Sequence, residues 1–196
     1  TENNNTFNTA DFISRGDFEI SGSNLFGNSD ILSESILGDI SVRADVDFYG
    51  FDLRRGEKIT FDIDFGSNSG RSVDTQLFLF DSNRNLISSN DDANISLGGG
   101  GSTSRLDSFL EFQSDASQSI RLAVSSFNND PGSGALFNGR GNSSGDYVLN
   151  VSLEANIQES ESNNTIGTAQ FIQRSSFNIA QDNFIADSST NLSTTV

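Results

Sequence analysis

Two short runs bring oxygen-bearing side chains together at a spacing of two residues. Glu2-x-Asn4-Asn5 stands at the start of the chain, and Asp45-x-Asp47 stands just ahead of Tyr49. In an extended chain, residues two apart point to the same side. Brought together, the runs would offer three carboxylates and amide oxygens, with main-chain carbonyls and water completing the six to eight oxygens that calcium takes at about 2.3–2.6 Å. The same residues have a plainer reading, in which Asn4 or Asn5 serves as a helix cap and the acids face solvent. A second group, Asn90, Asp91, Asp92 and Asp107, flanks the glycine run Gly98–Gly101. It reads as another cation site or as turn hydrogen bonding. Carboxylate pairs such as Asp62 with Asp64, or Asp91 with Asp107, are the one constellation a glycoside hydrolase could use. In a chain with 27 acidic residues such pairs arise by chance, and we expect no enzyme.

Composition closes off most other chemistry. The 196 residues include no His and no Cys, which excludes Ser-His-Asp and Cys-His centres, the usual zinc sites and disulfides. With 11 basic residues against 27 acidic ones the net charge is −16, which argues against nucleic acid and against an anionic membrane surface. No apolar run approaches the roughly 18 residues of a membrane span, so no membrane insertion is expected. Without an initiator Met or a signal peptide, the sequence reads as a piece of something longer. Phe supplies much of the apolar content, 17 residues against two Tyr and no Trp or Met.

The elements that must position these residues read as strands. Tyr49, Phe51 and Leu53 alternate with small or polar residues, and so do Ile59, Phe61, Ile63 and Phe65. Leu77–Phe80 is a continuous apolar run before a turn at Asp81–Asn85, with Leu86-Ile87 starting the return. Phe109–Phe112, Ile120–Val124 and Tyr147–Leu153 supply three more strands. Short strands between Gly, Asn and Asp turns predict an antiparallel β-sandwich. Asn5 or Thr6 can cap one short N-terminal helix carrying Phe7, Ala10 and Ile13. Asp91–Arg105 and Asn128–Ser144 read as long loops, and Leu25–Ile40 is ambiguous, one reading being an insertion between strands.

The start of the chain recurs near its end. Residues 2–20 and 161–179 are identical at 11 of 19 positions without a gap, at an offset of 159. This predicts a tandem array: a complete unit over 1–153, an acidic linker over 154–162, and the start of a second, incomplete repeat over 163–196.

The ordered series Glu2-x-Asn4-Asn5-Thr6-x-x-Thr9-Ala10, Asp45-x-Asp47-Phe48-Tyr49-x-Phe51-x-Leu53, Gly56, Leu77–Asp81, Asp91-Asp92, Asp107-Ser108-x-Leu110-x-Phe112 and Gly145-x-Tyr147-x-Leu149-x-Val151 resembles the bacterial pre-peptidase C-terminal domain, a relative of the collagen-binding domain of clostridial collagenases. The resemblance implies an all-β, antiparallel jelly-roll-like β-sandwich. It implies a non-catalytic accessory module of a secreted or cell-surface bacterial protein, beside a peptidase or other extracellular domain. Its implied partners are those neighbouring domains and an extracellular protein or polysaccharide surface. It also implies calcium tying the N-terminal segment to the sheet through Glu2, Asn4, Asn5, Asp45 and Asp47. Ala44 departs from the pattern, since collagen-binding relatives carry an acid there. Those relatives bind collagen through tyrosines on a sheet face, whereas Tyr49 and Tyr147 occupy positions that read as core, so collagen binding does not transfer. The alternative is a structural repeat of an adhesin-like array with calcium-stiffened joints, in which Glu161, Asn163 and Asn164 serve the next joint.

Overall fold

A computed structural model of the chain describes residues 3–18, 32–64, 73–98, 104–155, 165–166, 169, 178–179 and 192–193. Within them, alternation produces strands β1 (Asp11–Phe12), β2 (Leu32–Ile40), β3 (Val46–Leu53), β4 (Glu57–Asp64), β5 (Thr75–Asp81), β6 (Leu86–Asn90), β7 (Phe109–Gln113), β8 (Gln118–Ser126) and β9 (Gly145–Ala155). A further short pair joins β10 (Asn178–Ile179) to β11 (Leu192–Ser193). Residues 156–162 of the expected linker and most of the second repeat lie outside the described residues; 154 and 155 belong to β9, which runs two residues past the expected boundary at 153.

Two sheets stack, one in the order β1-β3-β8-β5-β6 and the other in the order β2-β9-β4-β7. The pairing is nested: β5 with β6, β4 with β7, β3 with β8 and β2 with β9. A long hairpin folded over on itself in this way is a jelly roll, as expected. The stretch the sequence left open, Leu25–Ile40, contributes β2, which runs in register with all but the last two residues of β9. Its pattern is weak because the strand is an edge with few buried positions.

The core lies between the sheets. Tyr49, Phe51 and Leu53 of β3, with Leu77 and Leu79 of β5 and Leu122 of β8, meet Ile59, Phe61 and Ile63 of β4 and Leu149 and Val151 of β9. Phe51 and Phe61 bridge the sheets with ring centroids 5.3 Å apart. A second cluster covers the outer face of the first sheet. Val46, Phe48, Phe78, Phe80 and Ala123 point outward and are roofed by Phe7, Ala10, Ala135 and Phe137. Phe137 packs edge-on against Phe48 and Phe78 at 5.8 and 5.5 Å. Both faces of β5 are therefore buried, which is why Leu77–Phe80 is apolar without alternation. Ala135 and Phe137 come from the Asn128–Ser144 loop, which is pinned rather than free. The Asn129 amide donates to the Asp45 carbonyl at 3.1 Å and accepts from the Gly139 amide at 2.8 Å.

The N-terminal helix is a single 3-10 turn, Phe7–Thr9, capped by Thr6. The Thr6 amide donates to Thr9 Oγ1 at 3.2 Å, and the two hydroxyls lie 2.7 Å apart. Ala10 then turns extended, and β1 joins the edge of β3 in parallel, Asp11 facing Tyr49 and Phe12 facing Gly50.

Candidate functional site

The N-terminal segment runs alongside the start of the strand that holds Tyr49. The carbonyl of Asn4 accepts from the Phe48 amide at 2.9 Å, so Asn4 lies alongside the start of β3. Asn4 is buried, and its Oδ1 has no hydrogen-bond partner. Asn5 is exposed, and neither asparagine caps the turn, which Thr6 does. Glu2 lies outside the described residues.

Asp45 and Asp47 are both buried, at 5% and 1% exposure, rather than facing solvent. They have different work. Asp45 precedes β3 and closes the loop behind it. Its Oδ2 accepts from the Ser41 amide and hydroxyl at 2.8 and 2.6 Å, and its Oδ1 accepts from the Val46 amide at 3.0 Å. Asp47 lies within β3 and shares the inward parity of Tyr49 and Phe51. Its Oδ2 accepts from the Tyr147 hydroxyl at 2.7 Å, and that hydroxyl is 2.8 Å from the Tyr49 hydroxyl. Burial first, and then the neighbouring Tyr49 and the Asp47 charge, push the Tyr147 phenol well above its ordinary value. Tyr147 therefore keeps its proton and donates a hydrogen bond to the carboxylate. The motif spacing drew attention to Asp47 but not to this chain of hydroxyls, whose members are 98 and 100 residues apart in sequence. Gly38 makes room for it, since a Cβ there would lie 2.2 Å from Tyr147 Cζ.

These are hard oxygen donors, the chemistry that suits calcium. Among the described residues no three His, Cys, Asp or Glu side chains come together closely enough to hold a metal ion. A cation at Asn4 and Asp47 would draw its remaining ligands from Glu2, main-chain carbonyls or water.

The second group is tied into turns. Asn90 Oδ1 accepts from the Phe109 amide at 3.0 Å, while its Nδ2 donates to the Asp92 carbonyl at 3.1 Å. Asp91 Oδ1 accepts from the Asp92 amide at 2.8 Å, and Asp107 Oδ2 accepts from the Ser104 amide at 3.0 Å. The negative charges are felt at Asp74, which the sequence reading had not singled out. Burial first, and then Asp92 and Asp91, raise its carboxyl above the ordinary value. Asp62 and Asp64, the carboxylate pair in β4, are buried at 1% and 0% exposure. Asp64 accepts from the Asn150 amide at 2.6 Å, and Asn150 in turn accepts from the Ser35 hydroxyl at 2.6 Å. This row knits β2, β9 and β4 together across the sheet.

Sequence reasoning also passed over Arg15 and Glu57. Glu57 is buried at 4% exposure and accepts from Arg15 Nη2 and, at 2.7 Å, from the Arg54 amide. The recurrence of Arg15 as Arg174 was the available signal. Phe12, Ile13, Arg15, Phe18, Phe51 and Leu153 line a cavity of about 290 Å³ at that end of the sandwich. No helix among the described residues is long and apolar enough to cross a membrane.

No protein-family model and no curated protein matches the chain. Among solved structures it is similar to the periplasmic g-type lysozyme inhibitor PliG of Aeromonas hydrophila, at 17% identity and a TM-score of 0.40 over 63% of this chain and 88% of that one. It is also similar to CorA, a surface-associated copper-binding protein of Methylomicrobium album BG8, at 7% identity and a TM-score of 0.36 over 73% and 96%. A third is the pre-peptidase C-terminal domain of a collagenase from Bacillus anthracis, at 16% identity and a TM-score of 0.40 over 61% and 89%. The domain type that the sequence motifs resemble is thus among the solved structures to which this chain is similar.

Proposed function

We propose that this chain is a non-catalytic accessory module of a secreted or cell-surface bacterial protein, stabilised by calcium bound where its N-terminal segment crosses the start of β3. The observation that carries the reading is Asn4, a buried carboxamide whose Oδ1 lacks a partner, on a segment bonded to β3 beside the buried Asp47. A buried amide oxygen left unpaired costs about 1–3 kcal/mol, and a cation would satisfy it. Asp47 and Glu2 supply the charge, and Asp45 keeps the loop in place from behind. The partners in this reading are neighbouring domains of a longer protein and an extracellular protein or polysaccharide surface.

The test is thermal unfolding of the chain in EDTA, in 10 mM calcium and in 10 mM magnesium. Extracellular calcium modules bind at about 10⁻⁴–10⁻³ M. Saturation should therefore add about 1–3 kcal/mol, a rise of several degrees that magnesium does not reproduce. Asn4→Ala should remove most of the rise while the chain stays folded. An equal midpoint in EDTA and calcium sinks the proposal.

The repeat at an offset of 159 favours a second reading, a structural unit of an extracellular array. There, calcium at Asn4 and at its counterpart Asn163 would stiffen successive joints. A chain extended to include a complete second unit would show two calcium-dependent transitions in this reading.

A further inference from the structure

The sheet containing β3 would end in an open edge if the N-terminal segment were absent. β3 is the outermost long strand of its sheet, and beyond it lies only the two-residue β1 among the described residues. The segment 4–18 works as a strap along that edge. Asn4 accepts from the Phe48 amide, and the Ile13 amide donates to the Gly50 carbonyl at 2.9 Å. Phe12 lies over Gly50, where a Cβ would come within 2.7 Å of its Cδ2, and against the Arg121 guanidinium at 5.2 Å from the ring centroid. Arg15 pairs with Glu57, and Phe18 enters the core.

The second copy of this sequence keeps the residues that make these contacts. Asn163, Thr165, Thr168, Phe171, Ile172, Arg174 and Phe177 stand where the strap has Asn4, Thr6, Thr9, Phe12, Ile13, Arg15 and Phe18. The differences fall elsewhere. Within 3–18, Asn3, Asn8, Asp11, Ser14, Gly16 and Asp17, which are replaced in the copy, are all exposed in the strap, and the one remaining change there, Phe7 to Ile166, keeps an apolar side chain. A segment that kept only a linker's composition would have no reason to divide its changes this way.

We propose that residues 161–179 are a second strap, built to dock along β3 of another copy of this sandwich. The register places Phe171 over Gly50 and Arg174 against Glu57. Recognition is strand addition to an open edge: main-chain hydrogen bonds hold the segment, and alternate side chains set the register. Sealing the edge also prevents the unspecific pairing that open edges invite. This inference stands whether or not calcium binds at Asn4.

The absence of native cysteine makes a cross-linking test clean. Continued two residues beyond Phe12 and Gly50, the parallel register would set Ser14 opposite Asp52, so Gln173, its counterpart, should face Asp52 of the other copy. An acceptor chain of full length carries Asp52→Cys with Phe12→Ala to loosen its own strap. Donor chains of full length carry Gln173→Cys, Gln170→Cys or Ser176→Cys. Under mild oxidation, the Gln173→Cys donor should give a disulfide-linked dimer in several-fold excess over the other two, and Phe171→Ala in that donor should abolish the excess. Because Phe12→Ala could unfold the acceptor, a second acceptor keeps Phe12 and is opened instead by incubation just below its thermal midpoint. Equal yields from the three donors, or no dimer with either acceptor, overturn the proposal.

Discussion

Asp47 shows how much one parity decides. A carboxylate in the inward row of β3 is buried, and the Tyr147 hydroxyl donates to it, with Tyr49 behind. Tyr147→Phe keeps the shape of the ring but takes a donor from a buried acid. It should cost about 1–3 kcal/mol in denaturant unfolding; an unchanged midpoint and slope would show that the hydroxyl chain contributes nothing. Asp74 offers the opposite case. Its carboxyl is raised in the folded state by burial and by Asp92 and Asp91, so folding favours its protonated form. Such a group contributes its full stability below the unfolded value of about 3.9, and that contribution is lost as pH rises through the folded value. Asp74→Asn, neutral at every pH, should therefore raise the thermal midpoint at pH 7, with the gain shrinking as pH falls toward 4. A gain of equal size at both pH values would point to something other than the charge.

At the scale of elements, the strap and the edge strand depend on each other. β1 is too short to hold by its ladder, so side chains must anchor it. Arg15→Ala removes the charged partner of buried Glu57 and leaves it the Arg54 amide. Unfolding should become easier by about 1–3 kcal/mol, and amide exchange at Ile13 and Phe48 should quicken. Gly50→Ala reaches the same end from the other side, because the new Cβ would displace Phe12. If both variants match the parent in amide exchange, the strap is not held as described. The loop Asn128–Ser144 has a comparable anchoring role, since Phe137 and Ala135 roof the outer phenylalanines.

For the whole molecule, a charge of −16 on a fold with few cations means that the native state works against its own field. Three ion pairs stand among the described residues, two of them sharing Lys58. Raising sodium chloride from about 10 mM to 150 mM shortens the screening length from about 30 to 8 Å. The thermal midpoint should rise with it, and calcium should raise it further at matched ionic strength. A midpoint that does not respond to sodium chloride would mean that repulsion is not a significant cost here.

The strands were legible in the sequence because apolar residues alternate with polar ones in β3, β4 and β9, the inward row facing the core. The repeat was legible because identity needs no structure to be seen. The N-terminal run and the acids before Tyr49 stood out by their spacing, and the contact the chain makes there is between the Asn4 carbonyl and the Phe48 amide. β2 was not, because an edge strand buries little and leaves a weak pattern. Nor could spacing say that Asp45 and Asp47, two residues apart, would serve different ends. Asp45 lies before the strand, where its carboxylate is claimed by Ser41 and Val46, while Asp47 lies in it and meets a tyrosine 100 residues away. Sequence alone determined which segments could be strands and that the opening segment recurs near the end of the chain. Which sheet each strand joins, which face of the first sheet is roofed and which buried acids find donors depended on contacts between distant residues, and those exist only once the chain has closed on itself.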